Sequence, residues 1–262
     1  MKIINAHTHA VKHRVRGMAD GSIESLLKDM ELGGISRSLV FSSMLSSKDY
    51  SMAELVSMAG KDSRLSIVYT VNIDKPISAQ AAEIDGHMRR NEVCAVKIML
   101  GYQSVMPSSE KLQPIYDVCE RHGLPAIFHT GDTLWSHAKV RYSHPLNIDE
   151  LAVDRRKLTI VMAHIGNPWT ADAAEIIYKN RNVYGDISGL FLGFNDKRYN
   201  ELTRRKVNDF ISYAGGKKLL FGTDFPLVDS VRYISFVESL SFTKREMDIV
   251  YHRNAERLFR LK

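Results

Sequence analysis

His7 and His9 flank one threonine just after a short apolar run, Ile3-Ile4, and residues two apart in a strand point to the same face. Their imidazoles are then separated by roughly 6.6 Å of backbone and can converge on one ion. Imidazole nitrogen is a preferred donor to zinc and its neighbours. Taken alone, the pair fits a polar strand end equally well. Four more groups able to ligate or move protons close or follow other apolar runs: Lys97, His129, His164 and Asp224. Each has an ordinary reading by itself. His129 or His164 fits a hydrogen-bonded histidine at a strand terminus, Asp224 before Phe225-Pro226 a turn acid, and Lys97 a lysine snorkelling out of the core. Their coincidence at one end of separately placed runs makes a metal site the better reading.

Such groups need elements that present them on one side. The chain alternates short β-rich runs with amphipathic segments, the pattern of a parallel sheet wrapped by helices. Eight runs fall at residues 2–6, 38–42, 65–71, 93–99, 125–128, 158–163, 183–187 and 219–222. Several are continuously apolar, as expected where both sheet faces are buried. Between them apolar residues recur at helical spacing, as in Ile23, Leu26, Leu27 and Met30, and again in Val207, Phe210, Ile211 and Ala214. Gly33-Gly34, Gly123 and Gly215-Gly216 stand where helix ends favour a left-handed residue. No linker, charge block or sequence repeat divides the chain, so residues 1–262 read as a single domain. The pattern predicts the α/β class and a distorted (β/α)8 TIM barrel. An open doubly wound sheet is the alternative, weakened because no Gly-x-Gly-x-x-Gly follows the first run. A barrel gathers its active-site groups at the C-terminal strand ends, where all the candidates fall.

The hydrophobic share of 44% suffices for a core. Two cysteines, Cys94 and Cys119, offer no disulfide framework and read as buried thiols in a reducing cytoplasm. No apolar run reaches the length of a membrane span, and no signal-peptide core opens the chain. The net charge of +6 is scattered in doublets such as Arg155-Arg156 and Lys217-Lys218, which read as solvated faces. Acidic small substrates are a lesser reading of that charge and nucleic acid a weak one. His87 and His122, late in helices, are expected to be exposed, and His252 to have no catalytic role.

With these residues in place, the chain resembles the amidohydrolase superfamily, specifically its amidohydrolase-related (amidohydrolase 2) branch. The likeness spans nearly the whole length. It rests on Asn5-Ala6-His7-Thr8-His9, Ala95-Val96-Lys97-Ile98, Phe128-His129-Thr130-Gly131 and Ala163-His164-Ile165-Gly166-Asn167-Pro168-Trp169. It continues through Tyr184-Gly185-Asp186-Ile187-Ser188-Gly189, Phe221-Gly222-Thr223-Asp224-Phe225-Pro226 and Asn254-Ala255-Glu256-Arg257-Leu258-Phe259. The resemblance implies that His7, His9, His129 and Asp224 bind a divalent metal, usually zinc, with His164 either helping to bind it or polarising the substrate. It further implies a metal-activated water attacking an electrophilic carbon, with Asp224 delivering a proton to the leaving group. Asp224 and His164 are then the catalytic residues. In two-metal relatives a lysine in the place of Lys97 is carboxylated and bridges the ions; in many one-metal relatives it is unmodified, and one ion is favoured here. A homodimer is a family expectation.

The leading function is therefore metal-dependent hydrolysis of a small-molecule lactone, ester or amide. The alternative is a decarboxylase or hydratase of unsaturated or aromatic carboxylic acids on the same site, for which Arg14, Arg16 and Arg141 are the nearest cations. A TatD-like deoxyribonuclease is a weaker reading, because those enzymes carry glutamate where Lys97 stands, and a non-catalytic metal-binding barrel is weaker still. Specificity is expected from loops after the first, fifth and seventh runs, with His13, Arg14, Arg16, Trp135 and Arg141 as substrate contacts, joined by Trp169 after the sixth run and by Phe191 and Phe194 as further apolar candidates.

Overall fold

The computed structural model describes residues 1–12, 20–42, 49–191 and 196–261. Eight parallel strands follow one another around a single sheet in chain order. They are β1 (Ile4–His9), β2 (Arg37–Phe41), β3 (Leu65–Val71), β4 (Ala95–Ile98), β5 (Ala126–His129), β6 (Ile160–Ala163), β7 (Val183–Asp186) and β8 (Leu219–Leu220). The helices between them are α1 (Ile23–Gly33), α2 (Met52–Lys61), α3 (Ile77–Arg89), α4 (Gln113–His122), α5 (Val140–Ser143), α6 (Asn147–Asp154), α7 (Thr170–Lys179) and α8 (Lys197–Ala214). After β8 come α9 (Ser230–Glu238), α10 (Lys244–Asp248) and, beyond a π-helical turn, α11 (Asn254–Leu258). Strand order 1 to 8 with helices between is the barrel topology and excludes the doubly wound alternative.

Closure is imperfect, because β8 is short. The seam is carried by three backbone bonds: Ala6 N–H donates to Phe221 O at 2.8 Å, Asp224 N–H to His7 O at 2.9 Å and His9 N–H to Phe225 O at 2.8 Å. Two apolar layers result. Ile4, Ala6, Leu39, Phe41, Val68, Ala95, Ile127, Val161 and Leu220 fill the barrel interior, and Ala255 and Leu258 of the last helix, with Phe259 just after it, pack against them. The larger cluster lies between strands and helices, where α1 buries Ile23, Leu26 and Met30 and α8 buries Val207, Phe210 and Ile211. Gly34 and Gly123 cap their helices at φ 63° and 61°, the left-handed region where glycine escapes the Cβ clash.

β1 differs from its sequence expectation in a way that matters. It runs through His9, so the histidines lie inside the strand, and between the pairs Asn5–Ser38 and Thr8–Val40 it sets two residues against one of β2. Unbroken alternation from the inward Ile4 and Ala6 would turn His7 and His9 outward; this bulge reverses the phase. Asn5, fully buried, holds the irregularity. Its Oδ1 accepts from Thr223 N–H at 3.0 Å and His7 N–H at 3.3 Å, while its Nδ2 donates to Thr223 Oγ1 at 2.8 Å.

Three other expectations change. His87 is buried rather than exposed, because its face of α3 packs beside Tyr69 and its Nδ1 pairs with Glu92 at 2.7 Å. His122 is half-buried, with its Nε2 on Asp85 at 2.7 Å. Cys119 is buried but Cys94 only half so; both are free thiols, and burial pushes each up to about 12. Among the described residues no helix is long and apolar enough to cross a membrane.

Asn5→Ala strands the buried N–H of Thr223 and loosens the bulge. At about 1–3 kcal/mol for each stranded polar group, we expect a loss of about 2–4 kcal/mol in chemical denaturation. An unchanged midpoint and slope would show that Asn5 does not hold the seam.

Candidate active site

A polar layer sits directly above the apolar interior, and strand alternation places it. Lys97 follows the inward Ala95 by two residues, His129 follows Ile127 and Asp186 follows Tyr184. His7, His9, Lys97, His129, His164 and Asp224 line one cavity of about 150 Å³, walled by Val11, Met99, Leu134, Trp135, Pro226 and Leu227, with Tyr102 among them. A wider hollow of about 730 Å³ lies at the opposite, N-terminal strand ends beside Arg37, Arg90 and Arg260, and none of those six groups reaches it.

Within the cavity, Asp224 Oδ1 is 3.2 Å from His9 Nε2 and 3.5 Å from His7 Nε2. The three residues form a group whose donor atoms lie within 4.8 Å of one another; His7, His164 and Asp186 form a second. His129 is in neither group. Its ring lies 5.0 Å from that of His164, and its Nε2 is 2.8 Å from the Asp132 carbonyl.

The hydrogen bonds fix the tautomers. A carbonyl or carboxylate oxygen can only accept, so His7 carries its proton on Nδ1 toward Asp186 Oδ2 at 2.9 Å, and His164 on Nδ1 toward Ser188 O at 2.9 Å. Their Nε2 atoms keep the lone pairs. His129 is reversed, with the proton on Nε2 and the lone pair on Nδ1. His7 Nε2 and Lys97 Nζ are both buried without a hydrogen-bond partner.

Burial, aided by the Lys97 charge, lowers His7 to about 3, and burial with the nearby His164 and Lys97 holds His129 well below its ordinary value. Both rings are neutral at pH 7. For Asp224, burial pushes the carboxyl up, but the His7 field and the bond from His9 outweigh it and keep it below the ordinary carboxylate range. Burial lowers Lys97 to about 8 against the opposing pull of Asp186 and Asp224.

Backbone strain concentrates at the same place. Asp224 and His164 both sit at φ 62°, and Ile165 at φ 37°, where a side chain other than glycine costs about 1–3 kcal/mol. Gly189, at φ 65°, lets this pair approach: a Cβ there would meet His164 Nδ1 at 2.8 Å and Asp224 Oδ2 at 3.0 Å.

Of the expected substrate contacts, Trp135 joins the wall, edge-on to Tyr102 at 5.2 Å. Arg141 does not, because α5 turns it toward solvent over the Tyr142 ring. Trp169 does not either: just before α7, it packs against His144 at 4.7 Å. His13, Arg14 and Arg16, like Phe194, lie outside the described residues. Lys97 does not snorkel out. It is fully buried, with Nζ 5.1 Å over the Phe41 ring.

Sequence reasoning passed over Asp186, Ser188 and Tyr102. The first two stood inside a quoted motif, and the alternation from Tyr184 would have turned Asp186 inward. Tyr102 lies beyond β4 and reaches back. Its ring lies against His129 at 4.8 Å, and its hydroxyl oxygen accepts from Leu134 N–H at 3.0 Å, fastening the loop that carries Trp135.

Residues 4–261 match the family model described as Amidohydrolase, and the chain belongs to that family of enzymes. No curated protein matches it. Its structure is similar to that of an uncharacterized TIM-barrel protein from Bordetella bronchiseptica, at 20% identity over 100% of this chain and 99% of that one, with a TM-score of 0.82. It is similar to an amidohydrolase from Burkholderia multivorans with bound zinc, at 14% identity over 100% of both chains and a TM-score of 0.77. A 5-carboxyvanillate decarboxylase from Sphingomonas paucimobilis follows at 12% identity, over 100% of this chain and 99% of that one, with a TM-score of 0.75. At these identities the likeness to solved structures is one of fold.

The neutral, buried histidines set a pH dependence. Unfolding returns His7 and His129 to about 6.5, so between that value and their depressed folded values the unfolded chain binds more protons. Stability of the metal-free protein then rises with pH across this window and is lost on acidification. We expect the melting temperature to fall from about pH 7 to about pH 5, less steeply in His129→Gln. A flat wild-type profile would mean that these rings accept protons without unfolding.

Proposed function

We propose that this enzyme is a hydrolase of a small lactone, ester or amide that uses one zinc ion held by His7, His9 and Asp224. The observation that carries this reading is the buried, unpartnered Nε2 of His7, whose other nitrogen is fixed by a carboxylate. A lone pair held ready in this way suits a cation, and two imidazoles with one carboxylate are a donor set that zinc favours. Asp186 reads as support for His7 rather than as a ligand, because its oxygens already accept from His7, Ser188 and the His164 N–H. When bound, the ion supplies Lewis acidity and lowers the pKa of a water to about 7.

The chain's own residues supply the rest. Asp224, ionised beside His7 and His9, accepts the proton of the attacking water and passes it to the leaving group. His164, with its Nδ1 proton held by Ser188 O, presents the Nε2 lone pair, which suits it to complete the ligand set or accept a proton rather than to donate to an oxyanion. Tyr102 is better placed for that task. Its oxygen already accepts from Leu134, burial raises its hydroxyl to about 12, and its own proton remains available to a substrate carbonyl. Val11, Leu134, Trp135 and Leu227 exclude water around it. Two unpaired cysteines suit a reducing cytoplasm.

Metal analysis of the purified protein should return one zinc per chain, and removal and return of zinc should abolish and restore lactone or ester hydrolysis. Asp224→Asn should lower kcat by about 10²–10⁴-fold. Two tightly bound ions with a carboxylated Lys97 would overturn the one-ion reading, and carbon dioxide release from unsaturated acids without any hydrolysis would overturn the hydrolase.

Asp186→Asn should weaken zinc binding by about 10–100-fold in competition with a chromogenic chelator. Undiminished affinity would remove Asp186 from the support of His7.

A further inference from the structure

We propose that Lys97 reads a single negative charge on the substrate, so that the enzyme selects a compact, one-ring monoanion. The inference rests on the hydrolase reading for the identity of the site but stands on separate observations. Among the described residues lining the cavity, Lys97 is the one lysine or arginine. Its ammonium is fully buried, yet none of its three N–H donors has an acceptor. A buried ammonium left in this state is costly, and an acceptor delivered by a ligand removes the cost.

The neighbouring carboxylates do not serve. Asp186 is occupied by His7, Ser188 and the His164 N–H, and Asp224 turns to His7 and His9. The face of Phe41 holds Nζ from one side at 5.1 Å and supplies no lone pair. A histidine must be neutral to hold a metal, so with the proposed divalent ion in place the ion and Lys97 exceed the two carboxylates by one positive charge. One anionic group balances it; a second would be stranded against Met99, Leu134 and Leu227.

Size points the same way. The cavity holds about 150 Å³, and an apolar cavity of about that volume accommodates a benzene ring. Trp135 and Tyr102 give such a ring aromatic walls. Arg141, one of the three arginines the sequence offers for anchoring a carboxylate and the one among the described residues, lies outside this wall.

The test is calorimetric titration of the zinc-loaded protein with benzoate and with its neutral counterpart benzamide. We expect benzoate to bind more tightly by about 10-fold or more, a charge-assisted hydrogen bond being the difference. Lys97→Met should erase that preference while leaving benzamide affinity within about twofold and zinc content unchanged. Equal affinities in the wild type, no benzoate binding, or a preference that survives in Lys97→Met would overturn the proposal. Loss of zinc from Lys97→Met would also overturn it, by making Lys97 part of the metal site. Equal wild-type affinities overturn the proposal without any variant, and if Lys97→Met fails to fold, Lys97→Gln makes the same comparison, its loss of the benzoate preference being the expected result and its retention the contrary one. Zinc content and lactone turnover on the same preparation report on the hydrolase reading separately.

Discussion

The buried carboxylate of Asp186 is the interaction on which the polar layer depends. It accepts from His7 Nδ1 on β1, from the His164 N–H after β6 and from both the N–H and the hydroxyl of Ser188 after β7. One anion thus joins three separate parts of the barrel. Burial pushes this carboxyl up, and its close pairing with His7, which donates from Nδ1, together with the nearby Lys97 charge brings it below its ordinary range, so it stays ionised. Removing any donor would leave a desolvated charge less compensated, and such a loss is felt across the whole group because the bonds share one acceptor. His7 is held in one tautomer and one orientation as a consequence.

That anchoring would accomplish little without the β1 bulge. The inward phase at Ile4 and Ala6 serves the barrel core, whereas the inward phase at His7 and His9 serves the cavity, and a regular strand offers only one of them. The extra residue provides both, and Asn5 secures it to the loop that carries Asp224. Gly222 shows how tightly the parts are set: a Cβ there would meet His7 Cβ at 2.8 Å and Ser188 Cβ at 3.0 Å. Backbone positions and side-chain orientations are therefore determined together. The strained φ values of Asp224 and His164 persist because their N–H groups are bound, to His7 O and to Asp186 Oδ1.

Much of this was legible in the sequence for a physical reason. Strand and helix periods are local, so the alternation of runs predicted the barrel, and the rule that chemistry gathers at C-terminal strand ends collected His7, His9, Lys97, His129, His164 and Asp224 into one cavity. What escaped was non-local or sub-periodic. The bulge shifts a strand by one residue and leaves no mark in composition. Asp186 looked like part of a motif because its role exists only through partners 22 and 179 residues away. Tyr102 sits in a turn, where no period assigns a direction. Arg141 and Trp169 lie outside the cavity wall, because loop residues near a mouth can share its rim without sharing its wall, and α5 and the start of α7 turn both aside.

The charges of the polar layer give its purpose a thermodynamic form. With His7 and His129 neutral, the two buried carboxylates Asp186 and Asp224 outnumber the single Lys97 ammonium by one negative charge within a desolvated space. A folded protein tolerates such an excess only where something else in the structure supports it, here the seam and the Asp186 bonds. On the proposed reading, a divalent ion reverses the sign of the excess, and a monoanionic substrate then brings it to zero. Each binding step relieves an imbalance left by the one before, so the metal would prepare the site for charge as well as for reaction. Metal affinity and fold stability then become linked quantities, because free energy gained at His7, His9 and Asp224 is gained only by the folded chain.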